Sequence, residues 1–126
     1  MYTYSFEKLE VWVKAKDFTK KIYNITATFP DSERYGLINQ LRRASVSICS
    51  NIAEGSARNT FKDKAHFTTI AFGSAVEVLN QLIISFELSF ITANDYNDSR
   101  VLLESITNKL NALRSYQLNQ ITKSTN

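Results

Sequence analysis

Arg43, Glu54 and Glu77 are residues of this 126-residue chain whose types could do acid–base chemistry, and each sits in a polar row. One row reads Arg43, Ser47, Asn51, Glu54, and the other Ser74, Glu77, Gln81, in steps of three or four that put each row on one helix face. Facing each other, the rows could bind or turn over a polar ligand. Neither a nucleophile paired with a base nor a metal-ligand cluster or phosphate-cradling glycine loop accompanies them. The stronger reading is a satisfied polar network in the core or at a subunit interface, because polar groups buried there must be paired. Glu77 lies among Ile70, Ile84 and Leu88 and is expected to pair with Arg42 or Arg43.

The remaining candidates are isolated. His66 and Cys49 are the only residues of their kinds and have no patterned partner for metal binding, so both are read as structural. Gly36, Gly55 and Gly73 are scattered, and Gly73 beside Ser74 is expected to let two helices approach. The expectation is therefore a non-enzymatic protein with no catalytic residue, cofactor, metal or small-molecule substrate.

Four amphipathic stretches would position these rows. Leu9, Trp12, Ala15, Phe18, Ile22 and Ile25 mark a helix over about 9–28, which Pro30 stops. A second helix is expected over 33–54, capped by Asp31 or Ser32, with Leu37, Leu41, Ala44, Ile48 and Ile52 facing the core and Gly55 closing it in the left-handed conformation. Thr60 with Asp63 has capping-box spacing and opens a third over 61–90. Its main apolar face includes Ala71, Ala75, Val78 and Leu82, and Ile70, Ile84 and Leu88 lie apart on a second side. Thr92 with Asp95 opens a fourth over 93–116, and 117–126 reads as a polar, fraying tail.

Length and composition suit one such domain. With 44% hydrophobic residues, three glycines and one proline, the chain lacks the turn-forming material of a β fold, and an antiparallel up-down-up-down four-helix bundle is expected over 1–126. A bundle core needs only one stripe per helix, so the surplus on helices two and three predicts self-association. The lone cysteine and the missing leader pattern point to a reduced, cytoplasmic protein. Val76–Ile91, the most apolar segment, is broken by Glu77, Gln81 and Glu87, so no membrane span is expected.

Charge leaves one surface to consider. The net charge is +3, all of it in residues 1–63, where ten basic residues face seven acidic ones. Lys14, Lys16, Lys20 and Lys21 on helix one, with Arg58, Lys62 and Lys64 at the turn between helices two and three, are either ordinary solvated charge or a phosphate-contacting surface that an oligomer would repeat. No aromatic-interleaved base-reading motif is evident.

Several segments resemble a known family. Leu9-Glu-Val-Trp12-x-x-Ala15, Phe29-Pro30, Glu33-Arg34-Tyr35-Gly36-Leu37, Gln40-Leu-Arg-Arg-Ala44, Ser47-Ile48-x-Ser-Asn-Ile-Ala-Glu-Gly55 and Ile70-Ala71-x-Gly-Ser74 are similar, in order and spacing over about residues 6–90, to the four-helix-bundle proteins encoded in intervening sequences of bacterial 23S ribosomal RNA genes, also called S23 ribosomal proteins. The resemblance implies a homopentameric ring with a role in binding RNA. A related branch, the accessory proteins of diversity-generating retroelements, implies an alternative role as a scaffold assisting a reverse transcriptase. Two positions depart from the family. Phe72 stands where a basic residue is usual, which weakens a nucleic-acid surface there, and Cys49 stands where proline is usual, which should leave helix two straighter.

Overall fold

The computed structural model describes residues 1–124. A 3₁₀ turn at Ser5–Lys8 leads into α1 (Glu10–Thr26), a second 3₁₀ turn at Asp31–Glu33 into α2 (Leu37–Ser56), and α3 (Phe61–Glu87) and α4 (Ala93–Ser124) follow. No strand occurs among the described residues.

Side-chain pairings give the direction of each helix. Thr26 and Thr19 of α1 meet Arg42 and Ser45 of α2, so one chain position rises as the other falls. Ser56 and Ser47 of α2 likewise meet Lys64 and Ser74 of α3. Phe86 and Thr68 of α3 meet Tyr96 and Gln117 of α4. The fold is the expected antiparallel four-helix bundle. Its core is built from Phe18 and Ile22 of α1, Leu41 and Ile48 of α2, Val78 and Leu82 of α3, and Ile106 and Leu110 of α4. Burying each such side chain contributes roughly 1.5–3 kcal/mol.

Besides α1, which stops at Thr26 rather than about 28, the expectation changes at four places, each for a physical reason. α2 begins at Leu37 rather than at 33, because Asp31–Glu33 forms its own turn behind Pro30. Glu33 still serves the helix start, since its carboxylate accepts from the Leu37 amide at 3.2 Å. Gly55 is helical and buried, with no positive φ, and does not act as a left-handed cap. A Cβ built there would lie 3.0 Å from Cβ of Phe67, so Gly55 lets α3 approach α2. Gly73 reverses the expectation in the other direction, being exposed with no atom within 4 Å of a built Cβ.

The other two differences concern the ends of α3 and α4. α3 ends at Glu87 rather than 90, where Ser89 takes φ 63° and the Phe90 amide donates back to the Ser85 carbonyl at 2.9 Å. α4 continues through the segment expected to fray. Gln117 is buried and its Oε1 accepts from the Thr68 hydroxyl at 2.7 Å, which ties the last turns to α3. Residues 125 and 126 of the expected tail lie outside the described residues. Both capping-box hydroxyls act as expected, Thr60 and Thr92 each accepting from the amide three residues on at 3.2 Å.

α3 is long and apolar enough, by length and composition, to cross a membrane. Its Ala71, Ala75, Val78 and Leu82 are fully buried in the bundle core, while Ile70, Ile84 and Leu88 remain exposed on its outer side.

The Gly55 contact gives a direct test. Gly55→Val adds atoms where one Cβ is already tight, and should lower unfolding free energy by about 1–3 kcal/mol in a denaturant titration.

Candidate interaction surface

The two polar rows meet along the seam between α2 and α3, but only part of each enters it. Ser47 and Ser74 share a hydrogen bond of 2.9 Å between their hydroxyls. Asn51 locks that pair from one turn away, its Nδ2 donating to the Ser47 carbonyl at 2.9 Å and to the Ser47 hydroxyl at 3.1 Å. Two turns in the other direction Gln81 Nε2 donates to Gln40 Oε1 at 3.4 Å, while the buried Gln81 Oε1 has no partner in the chain. These five residues fix the register of α2 on α3.

The charged members of the rows point away. The Arg43, Glu54 and Glu77 side chains are exposed and take part in no hydrogen bond or ion pair within the described residues, so Glu77 pairs with neither arginine in the chain. Arg42 turns the opposite way, to α1. Its Nε donates to the Thr26 hydroxyl at 2.9 Å and its Nη2 to the Tyr23 carbonyl at 3.2 Å, with the guanidinium 4.6 Å above the Tyr23 ring. Adjacent helical positions differ by about 100°, which sends Arg42 and Arg43 to different neighbours.

Glu77 stands in a stripe one step around α3 from Ser74 and Gln81. Ile70 is 38% exposed, Ile84 42% and Leu88 53%, and Gly73 leaves an open notch among them. Arg43, Ser50 and Glu54 give the neighbouring edge of α2 the same exposure. The α2–α3 pair therefore carries a largely hydrogen-bonded polar seam, in which Gln81 Oε1 is the unpartnered atom, and, outside it, an apolar stripe bordered by unpaired charges of both signs. That arrangement suits a partner surface that is apolar at its centre and charged at its rim.

The basic residues divide into separate groups. Lys14 and Lys21 line a shallow surface groove with Asp98, Leu102 and Ser105 of α4. Lys16 lies on the α2 side of α1, its Nζ 5.3 Å from the centroid of Trp12 and near enough to Cys49 to act on it electrostatically. Lys20 follows Lys16 by one turn and is exposed. At the α2–α3 turn Arg58 stacks 4.5 Å over Phe67, Lys62 is exposed, and Lys64 is half-buried and donates to the Ser56 carbonyl at 3.0 Å. Lys64 is also the charged wall of a half-open cavity of about 260 Å³, otherwise lined mainly by Leu9, Ile52, Phe61, Leu113 and Tyr116. His66 is exposed beside Phe67, and no group of three or more His, Cys, Asp or Glu able to hold a metal ion occurs among the described residues.

Cys49 sits between α1 and α2 with its Sγ 3.5 Å from the Thr19 hydroxyl. Burial pushes its thiol above the ordinary value of 9.0, only partly offset by that contact and by Lys16.

Comparison with known proteins agrees with this architecture. The model of the 23S rRNA-intervening sequence protein family matches residues 7–112. No curated protein matches. Among solved structures, the chain is similar to a protein of unknown function from the S23 ribosomal protein family of Bacteroides thetaiotaomicron, with a TM-score of 0.75 over 82% of this chain and 97% of that one. At 21% identity that likeness shows a shared fold.

The seam and the thiol each generate a prediction. Ser47→Ala leaves the buried Ser74 hydroxyl without its partner and should cost about 1–3 kcal/mol, while Ser47→Ala with Ser74→Ala should cost less than the sum of the single changes in a double-mutant cycle. Because the folded thiol of Cys49 titrates above its unfolded value, its contribution to stability is full below that value and is lost as pH rises through the folded pKa. Thiol labelling of the folded protein should accordingly have a midpoint above pH 9.0, and a Cys49→Ser variant should lose the corresponding alkaline decline in stability.

Proposed function

Because the chain belongs to the 23S rRNA-intervening sequence protein family, we propose that it is a non-enzymatic cytoplasmic bundle that self-associates, fivefold in the order the resemblance implies, and binds RNA through basic patches repeated by the assembly. The observation that carries this reading is the outer face of the α2–α3 pair. Ile70, Ile84 and Leu88 expose apolar surface beside the Gly73 notch, and Arg43, Glu54 and Glu77 offer the unpaired charges that would fix the orientation of a second copy.

The charge distribution supports the RNA half. Lys109, paired to Glu10 at 3.2 Å, is the one cation in an ion pair among the described residues. Lys14, Lys16, Lys20, Lys21, Arg58 and Lys62 thus keep their charge available to phosphates, while Lys64 is partly committed to Ser56. Each cluster is weak alone. A ring brings several copies to one polyanion, so their contacts add.

Assembly is read by the mass of the protein in solution, which should be a multiple of the 14.4 kDa chain. Gly73→Arg, placed where the chain itself leaves open space, should shift that mass towards monomer and leave the helical signal unchanged. RNA binding should weaken steeply with added salt, with a slope reflecting several phosphate contacts. A monomeric wild type would overturn the assembly claim, and no RNA binding at low salt would favour the scaffold reading.

A further inference from the structure

We infer that the N-terminal turn is a stacking platform for unpaired bases of single-stranded RNA, which rests on the RNA-binding reading above and specifies its substrate. Tyr2, Tyr4, Phe6 and Trp12 form a continuous aromatic run. Tyr2 meets Tyr4 edge-on with centroids 5.0 Å apart, Tyr4 stacks on Phe6 at 6.4 Å, and Phe6 meets Trp12 edge-on at 5.0 Å. The run begins in solvent and ends on the bundle, since Tyr2 is 77% and Tyr4 61% exposed, Phe6 is half-buried and Trp12 packs against the core.

The platform is built rather than frayed. The Tyr4 amide donates to the Glu7 carboxylate at 2.7 Å, and the Glu7 amide donates to the Tyr4 carbonyl at 3.1 Å, so the turn that Tyr4 opens is closed at both ends and Tyr2 rests edge-on against the ring it carries. A large aromatic surface held open in this way gains most from a flat apolar partner, and every nucleobase offers one.

Charge selects a polyanion over an apolar protein segment as that partner. Lys16 lies over the Trp12 ring, Lys20 follows it by one turn, and Lys8 sits in the same turn as Phe6, none of them in an ion pair. Of the acids on this stretch, Glu10 is paired with Lys109, while Glu7, which accepts from the Tyr4 amide, and Asp17 keep their charge beside the three lysines. Aromatic faces with flanking ammonium groups match a strand whose bases are splayed and whose phosphates run alongside. Bases inside a duplex are stacked on each other and cannot reach the rings.

The test compares a fluorescein-labelled oligouridylate with an RNA duplex of the same length, at low salt. Tyr2→Ala with Tyr4→Ala should weaken single-strand binding by roughly tenfold or more, in line with the loss of one or two base stacks. Duplex binding and oligomer mass should stay as in wild type, and Tyr2→Phe with Tyr4→Phe should retain single-strand affinity. Emission of Trp12, the only tryptophan, should change when the single strand binds. The inference is overturned by an unchanged single-strand affinity, by an equal loss on both RNAs, or by a loss of oligomer mass, which would make the turn a subunit contact. Wild-type binding to the duplex alone removes this inference and leaves the RNA-binding reading standing, whereas binding to neither RNA removes both.

Discussion

The close approach of α2 and α3 is the constraint on which the rest of the structure depends. Gly55 brings the helices together beside Phe67 at one end, and the Ser47–Ser74 bond and the Gln81–Gln40 contact hold their register towards the other. Gly55, Ser47 and Ser74 keep the helices close where they face each other, and the charged side chains lie outside that contact. Arg43, Glu54 and Glu77 are consequently displaced to its outer rim, where they border an apolar stripe. Packing and surface chemistry on this face have one cause.

The same economy governs the opposite side of α2. Arg42 spends its donors on the Thr26 hydroxyl and the Tyr23 carbonyl and covers the Tyr23 ring, joining α1 to α2 without an ion pair. Arg58 over Phe67 and Lys16 over Trp12 repeat the device. Cations held by aromatic faces rather than by carboxylates keep their net charge. A bundle stabilised this way retains a basic surface that ion-pair stabilisation would have neutralised.

Helix content, helix order and the core stripe were legible because they follow from local rules. Spacing at three and four residues selected Phe18, Ile22, Leu41, Ile48, Val78 and Leu82, all fully buried in the structure. Capping at Thr60 and Thr92 depends on the chain three residues away and was equally visible. The end of α4 was not, since its polar composition suggests fraying and the bond that holds Gln117 comes from the distant Thr68. Glycine roles were also hidden. Gly55 and Gly73 differ in what lies opposite them, a property of the packed pair rather than of either segment.

The sequence by itself thus determined a four-helix bundle and its family, because periodicity and spacing are written along the chain. Only the tertiary structure decided how the polar rows divide, which lysines share a face, and that aromatic residues from the N-terminal turn and α1 form one run ending under Lys16. Those outcomes depend on the angle at which each side chain leaves its helix and on which neighbour occupies that direction. Distances along the chain do not contain that information; the packing of four helices supplies it.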